Sequence, residues 1–154
     1  MGGDRYDFIL NTPGRHMAYN VMPAIMAATA LGLTRDEILC GLERFAPTQM
    51  RLNVVKTPQY TLIDDSYNAS PVSMKAALDT LATLPGTGRR VAILGDMFEL
   101  GDYAVLGHRE VGNHAASIKT WMLCSALGAM LPIFTRKPQK VPGYAVTILR
   151  PWKI

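Results

Sequence analysis

The sequence predicts an α/β fold, a doubly wound and mostly parallel sheet preceded by a short strand and two helices. Three observations predict it. From residue 52 onward, short β-rich runs alternate with longer helical periodicities, the rhythm of strands joined by crossover helices. The segment Arg90–Gly95 contains the apolar run Val91-Ala92-Ile93-Leu94 closed by a glycine, the pattern of a strand buried on both faces. Residues before Pro47 carry one β-rich run and then helical periodicity, which sets 1–46 apart from the rest of the chain.

Taken in order, Tyr6 to Leu10 alternates loosely and stops at Asn11-Thr12-Pro13-Gly14, a strand and its turn. Arg15 to Leu31 is rich in Ala and Met and reads as a mostly buried helix, ended by Gly32. Pro23 lacks an N–H and crowds the preceding turn, so the helix is expected to start near it or to kink there. Thr34-Arg35-Asp36-Glu37 has capping-box spacing, with Ile38, Leu39, Leu42 and Phe45 as the apolar stripe behind it. Pro47 closes this helix, and a domain boundary falls between Phe45 and Arg51. Leu52–Lys56 and Tyr60–Asp64 make a hairpin around Thr57-Pro58-Gln59. Pro71 suits the first turn of a helix whose apolar positions are Met74, Ala77, Leu78, Leu81 and Leu84, stopped by Pro85-Gly86-Thr87-Gly88. A helix from about Val105 to Ile118 comes after the buried strand, with His108 and His114 read as surface residues. Ligands of such sheets sit beyond the carboxyl ends of the strands, here Asp64–Ser70 and Gly95–Gly101.

Composition narrows the class. An apolar fraction of 49% with 18% charged residues in 154 fits a folded chain with one ordinary core. No apolar stretch reaches the roughly 18–20 residues of a membrane span, and the N-terminus lacks the pattern of a signal peptide. Tyr6 stands where a myristoylation signal needs Ser or Thr. Cys40 and Cys124 form neither a disulfide framework nor a metal motif. A cytoplasmic protein with no membrane partner is the resulting expectation. The net charge of +4 is misleading as a sign of nucleic acid. Residues 1–119 hold eleven Lys and Arg against twelve Asp and Glu, whereas 120–154 hold five bases and no acid. The basic character belongs to the tail, so no nucleic-acid partner is expected.

The densest polar stretch is Leu62-Ile63-Asp64-Asp65-Ser66-Tyr67-Asn68-Ala69-Ser70-Pro71. It brings two carboxylates, hydroxyls and an amide to a strand end, and the free N–H groups of the helix after it favour anions. An acidic turn with an N-cap would use the same residues. The string resembles the Asp-Asp-Ser-Tyr-Asn-Ala-Asn-Pro signature of the D-alanyl-D-alanine-adding branch of the Mur ligase family, with Ser70 where Asn is more usual. Three further segments agree in order. Gly14-Arg15-His16-Met17-Ala18-Tyr19-Asn20 resembles Gly-x-His-Asn-x-x-Asn, with Met17 in place of the first Asn. Leu94-Gly95-Asp96-Met97-Phe98-Glu99-Leu100-Gly101 resembles Leu-Gly-Asp-Met-x-Glu-Leu-Gly, and His108 to Gly112 resembles His-x-x-x-Gly.

The resemblance implies a Rossmann-like C-terminal Mur ligase domain. Residues 1–46 would be the end of the central ATPase domain, 47–119 an incomplete C-terminal domain, and 120–154 an atypical basic tail. It implies an ATP-dependent amide ligation: a carboxyl of a UDP-muramoyl-tripeptide is phosphorylated and then attacked by the amine of D-alanyl-D-alanine. On the nucleotide side it implies Asn20 at the adenine, Arg51 near the sugar and phosphates, and Asp65 at the ribose hydroxyls. Asn20 could instead cap the helix that carries Pro23, and Arg51 could be an exposed linker residue. Ser66, Tyr67, Asn68, Ala69 and Asp96 would flank the amino-acid substrate, although Asp96 would serve equally well in stabilising its turn. Asp64 would face solvent or a neighbouring strand. No catalytic or metal-binding residue is assigned. ATP and Mg²⁺ would serve the complete enzyme, but the family's Gly-x-x-Gly-Lys-Thr phosphate loop is absent from this sequence and the Mg²⁺ ligands would lie elsewhere. The N-terminal and central domains would then be partners on a separate chain, and this chain alone would be inactive.

Two alternatives remain at this level: a folylpolyglutamate-type amide ligase fragment, against which Tyr67-Asn68 argues, and a non-catalytic nucleotide-binding remnant. The tail raises a separate expectation. It holds four of the ten prolines and both tryptophans, and periodicity is lost. Read two bases out of register, permissible codons for Lys119 to Gly128 spell Asn-Met-Asp-Val-Val-Leu-Cys-Val-Gly-Gly, a buried-type strand. A frameshifted tail would leave the sheet at least one strand short, expose the edge of Val91–Leu94, and be poorly ordered from about Pro132.

Overall fold

The structure, a computed structural model, describes residues 5–86 and 88–118, together with the backbone of two strands, 123–127 and 146–149. The chain divides into two compact units between Pro47 and Thr48.

The first unit is helical. Helix α1 (His16–Ala30) runs through Pro23 rather than starting there. Helix α2 (Arg35–Glu43) opens on the expected capping box. The Glu37 amide donates to Thr34 Oγ1 at 3.4 Å, and the Thr34 amide donates to the Glu37 carboxylate at 2.8 Å. The Thr34 hydroxyl, which donates to the Glu37 carboxylate at 2.7 Å, and then the Thr34 amide hold the Glu37 carboxyl below its usual pKa. Two expectations are corrected. Tyr6–Leu10 is not a strand, because none of the described strands pairs with it to complete a ladder. Helix α1 is not mostly buried: Val21 is its buried residue, while Tyr19, Met22 and Met26 are exposed, since one nine-residue helix cannot cover a fifteen-residue apolar one.

The second unit is the predicted α/β sheet. Strand β1 (Asn53–Lys56) pairs antiparallel with β2 (Thr61–Asp64). The hairpin closes on Thr57, whose hydroxyl accepts from the amides of Gln59 and Tyr60 while its own amide donates to the Tyr60 carbonyl at 2.9 Å. Helix α3 (Pro71–Thr83) starts on a Ser70–Ser73 capping box with Pro71 in the first turn, where its missing N–H costs nothing. Met74, Ala77, Leu78 and Leu81 are buried, as their spacing requires. Beyond the far end of α3, Arg90 donates to the carbonyls of Leu81 (3.0 Å) and Leu84 (2.6 Å), acceptors the helix itself leaves unpaired. Strand β3 (Val91–Gly95) and helix α4 (Ala104–Ser117), reached through one 3-10 turn at Gly101–Tyr103, complete the predicted order.

The tail corrects the expectation of a missing strand. Strand β4 (Leu123–Leu127) pairs parallel with one edge of β3, and β5 (Val146–Leu149) inserts in parallel between β2 and β3. Among the described strands the order is β1-β2-β5-β3-β4, so both edges of β3 are covered. Strand β4 falls in Trp121–Leu131, a stretch able to continue the strand–helix pattern, whereas β5 follows prolines and bases that carry no periodicity. The residues as they stand supply the strands, and the shifted reading loses the structural gap it was to explain. The expected disorder from Pro132 lies outside the described residues, Val146–Leu149 excepted. The chain steps one way along the sheet from β2 to β3 to β4 and reverses to reach β5, as a doubly wound sheet does.

Helices α3 and α4 pack on each other. Lys75 on α3 reaches Glu110 on α4 at 3.0 Å, and Tyr103 donates to the other Glu110 oxygen at 2.7 Å. The Tyr103 hydroxyl and then Lys75 hold the Glu110 carboxyl low, and the same hydrogen bond raises the Tyr103 phenol. Gly107 sits where α4 meets the start of α3. A Cβ there would stand 3.0 Å from Pro71 Cγ and 3.2 Å from both Leu100 Cδ1 and Tyr103 Cε1. Two effects oppose each other at this position. Gly107→Ala gains about 1 kcal/mol of helix propensity and gives back a similar amount to crowding, so its midpoint of thermal unfolding should hardly move. Gly107→Val adds two further methyls without that room and should destabilise by about 1–3 kcal/mol. Equal midpoints for the two variants would show that α4 does not rest on Pro71.

Candidate functional site

The carboxyl ends of β2 and β3 face the same edge of the sheet, and β5 lies between them. Asp64 is level with Ile148 of β5, which is level with Ile93 of β3. Two strand spacings therefore separate the loops beyond them, about 10 Å. A dipeptide extends about 7 Å, so a ligand of that size can touch both loops.

The first loop is held by its own polar groups. Asp64 is half-exposed and bonds within its own loop: its Oδ1 accepts from the Ser66 amide (3.2 Å) and the Ser66 hydroxyl (2.5 Å). This is an Asx-type turn, the local bonding short polar side chains offer. Asn68 Oδ1 accepts from the Ala69 amide at 2.8 Å. Ser66 and Ala69 are buried, so they shape the loop, while Tyr67 and Asn68 present their side chains outward.

Arg51 joins this loop from the segment before β1. Its guanidinium carbon lies 4.3 Å from the Tyr67 ring centroid, a cation–π stack. Two bonds fix the approach: the Tyr67 amide donates to the Met50 carbonyl (3.0 Å), and the Leu52 amide donates to Asp65 Oδ1 (3.1 Å). Met50 (φ 63°) and Leu52 (φ 47°) both adopt the left-handed region, which costs non-glycine residues roughly 1–2 kcal/mol each. The cross-links offset that strain. Arg51, Asp65 and Tyr67, separated in the sequence, thus form one linked group.

The second loop carries Asp96 and Met97, with Glu99 also left-handed at φ 60°. His108, expected on the surface, is fully buried beneath this loop. Its Nε2 accepts from the Met97 amide at 3.0 Å, and its Nδ1–H donates to the Ala104 carbonyl at 2.7 Å. Asp96 Oδ1 lies 3.9 Å from Nε2. The spacing of Ala104, His108, Val111 and Ala115 places His108 in the apolar stripe of α4, a signal that could have identified it. His114, by contrast, sits at the surface as expected, 2.7 Å from Asp79.

Asn20 belongs to the first unit and lies inside α1, so it does not cap that helix; its amide nitrogen is 3.5 Å from the Met17 sulfur. Among the described residues no group of three or more His, Cys, Asp or Glu side chains could hold a metal ion, and no helix is long and apolar enough to cross a membrane.

The family model described as Mur ligase, glutamate ligase domain, matches residues 50–141. Over 106 residues, 68% of this chain, the sequence is 41% identical to the UDP-N-acetylmuramoyl-tripeptide--D-alanyl-D-alanine ligase of Bacillus subtilis. Over 110 residues it is 39% identical to the enzyme of the same name from Escherichia coli. The chain spans 23% and 24% of the length of these relatives. Among solved structures, MurF from Acinetobacter baumannii superposes with a TM-score of 0.78 at 32% identity, over 82% of this chain and 27% of that one. MurF ligase from Thermotoga maritima in complex with ADP shares the fold, with a TM-score of 0.75 at 20% identity over 91% of this chain and 35% of that one.

Proposed function

Because this chain belongs to the Mur ligase family, we propose that it is the C-terminal part of an ATP-dependent amide ligase that adds D-alanyl-D-alanine to a UDP-N-acetylmuramoyl-tripeptide. The observation that carries the reading is the pair of loops at the carboxyl edge of the sheet, 65–70 and 96–100, in a chain 41% identical to a ligase of that name. In this reading Arg51 and Asp65 face the nucleotide's phosphates and ribose. A guanidinium suits phosphate oxygens and a carboxylate suits hydroxyl donors. Asn20 offers the adenine a donor and an acceptor. Tyr67 and Asn68, over a frame made by Ser66 and Ala69, and Asp96 across the gap line the dipeptide, with the Asp96 carboxylate toward its ammonium group. ATP supplies the phosphoryl group that activates the tripeptide carboxyl, and Mg²⁺ is assigned no residue of this chain. The chain's own contribution is to close over the site, orient the amine and exclude water. Such work belongs in the cytoplasm, where ATP and the UDP-linked precursor are found, and the remaining domains would act with it.

Titrating the labelled chain with D-alanyl-D-alanine tests the assignment. Amide shifts should concentrate in 65–70 and 96–100 and be absent with L-alanyl-L-alanine. Equal shifts with both dipeptides, or none in either loop, would reject it. The purified chain, given ATP, the tripeptide precursor and the dipeptide, is expected to release no ADP. Positioning and charge neutralisation at the phosphates dominate phosphoryl transfer, and this sequence carries no phosphate loop to supply them. Steady ADP release would contradict this division of labour.

A further inference from the structure

We infer that His108, as a neutral imidazole protonated at Nδ1, is the positioning residue that sets Asp96 for the substrate's ammonium group. The inference rests on the reading of Asp96 given above and adds a residue and a protonation state to it.

Hydrogen-bond chemistry fixes the tautomer. The Ala104 carbonyl can only accept, so Nδ1, 2.7 Å away, carries the proton. The Met97 amide can only donate, so Nε2, 3.0 Å away, presents its lone pair. A ring with one proton is uncharged. It is also held in place, because rotation would leave the buried Met97 amide and the Ala104 carbonyl without these partners. The Met97 nitrogen is bonded to the Asp96 carbonyl carbon. Holding that N–H restrains the peptide plane after Asp96, and with strand β3 ending at Gly95 just before it, Asp96 is restrained on both sides.

The neutral state matters as much as the bond. At 3.9 Å the Asp96 oxygen is too far from Nε2 for a hydrogen bond. An imidazolium at that distance would pair with the carboxylate and oppose the approach of an ammonium ion. The neutral ring adds no competing positive charge beside the carboxylate. Gly107 assists by letting α4 approach Pro71 and Leu100 closely, which brings the next residue, His108, under the turn.

Three measurements on the intact chain test this. Nitrogen-15 shifts of the His108 ring should be pyrrole-type at Nδ1 and pyridine-type at Nε2; the reverse pattern would overturn the inference without any variant. His108→Gln keeps an acceptor where Nε2 stood and His108→Phe removes it at similar volume. The Met97 amide should exchange slowly in the wild type and in His108→Gln, and at least tenfold faster in His108→Phe. The affinity for D-alanyl-D-alanine should fall about tenfold in His108→Phe and recover in His108→Gln. A His108→Phe protein that folds with wild-type Met97 exchange, or that binds the dipeptide as the wild type does, contradicts the positioning role. If the wild type binds no dipeptide, the assignment of Asp96 to substrate fails; the ring shifts and Met97 exchange still decide whether His108 holds the turn.

Discussion

Leu78→Ala is expected to lower the unfolding free energy by about 2–5 kcal/mol, the range for leucine truncations in close-packed cores. Leu78 is 2% exposed on the buried stripe of α3, alongside Met74 and Leu81. The loss combines the removed transfer free energy with a cavity that a helix capped at both ends cannot collapse into. Ser70 and Pro71 fix one end of α3, and Arg90 ties the other through the Leu81 and Leu84 carbonyls. Chemical denaturation of the two proteins measures the difference. Since natural domains are stable by only about 5–15 kcal/mol, the variant should be partly unfolded at moderate temperature. A loss under about 1 kcal/mol would mean that α3 does not pack as described.

Asp65 carries the second large effect. Its Oδ1 holds the Leu52 amide at 3.1 Å, and Leu52 is one of two left-handed residues flanking Arg51. Asp65→Ala should therefore destabilise by about 1–3 kcal/mol through the orphaned amide. In a full-length relative the same change should weaken ATP binding by about 1.5–3 kcal/mol if the carboxylate also meets the ribose. Asp65→Asn separates the two roles, because its carbonyl oxygen can still accept from Leu52 while the charge is gone. Stability should recover in Asp65→Asn and nucleotide affinity should not recover fully. An unchanged Michaelis constant for ATP in both variants would assign Asp65 to the turn alone.

How much of the fold and the site is legible in the sequence depends on which interactions are local. The capping boxes at Thr34 and Ser70, the Thr57 hairpin and the buried stripe of α3 depend on residues a few positions apart, and spacing reveals them. His108 is misplaced by a reading of its polarity alone, because its partner, Met97, is 11 residues away and its place in the stripe is the better guide. The Arg51–Tyr67 stack joins positions across the hairpin and depends on two left-handed residues, neither of them glycine, so no turn signal announces it. Tyr6–Leu10 fails as a strand for the opposite reason: its local pattern suits a strand, but a ladder needs a neighbour. Strands β4 and β5 are harder to read because Pro132, Pro138, Pro142 and Pro151 with interspersed bases break the strand–helix rhythm around them.

Whether this chain serves as the dipeptide-positioning part of a ligase is best decided with a chimera. The chain would replace the matching quarter of the Bacillus subtilis enzyme, and ADP release would be measured with the tripeptide precursor present. Release is expected to depend on D-alanyl-D-alanine, to fail with L-alanyl-L-alanine, and to fall when Asp96 is replaced by alanine. A folded chimera that binds ATP and precursor yet releases ADP no faster with D-alanyl-D-alanine than without it would contradict the claim.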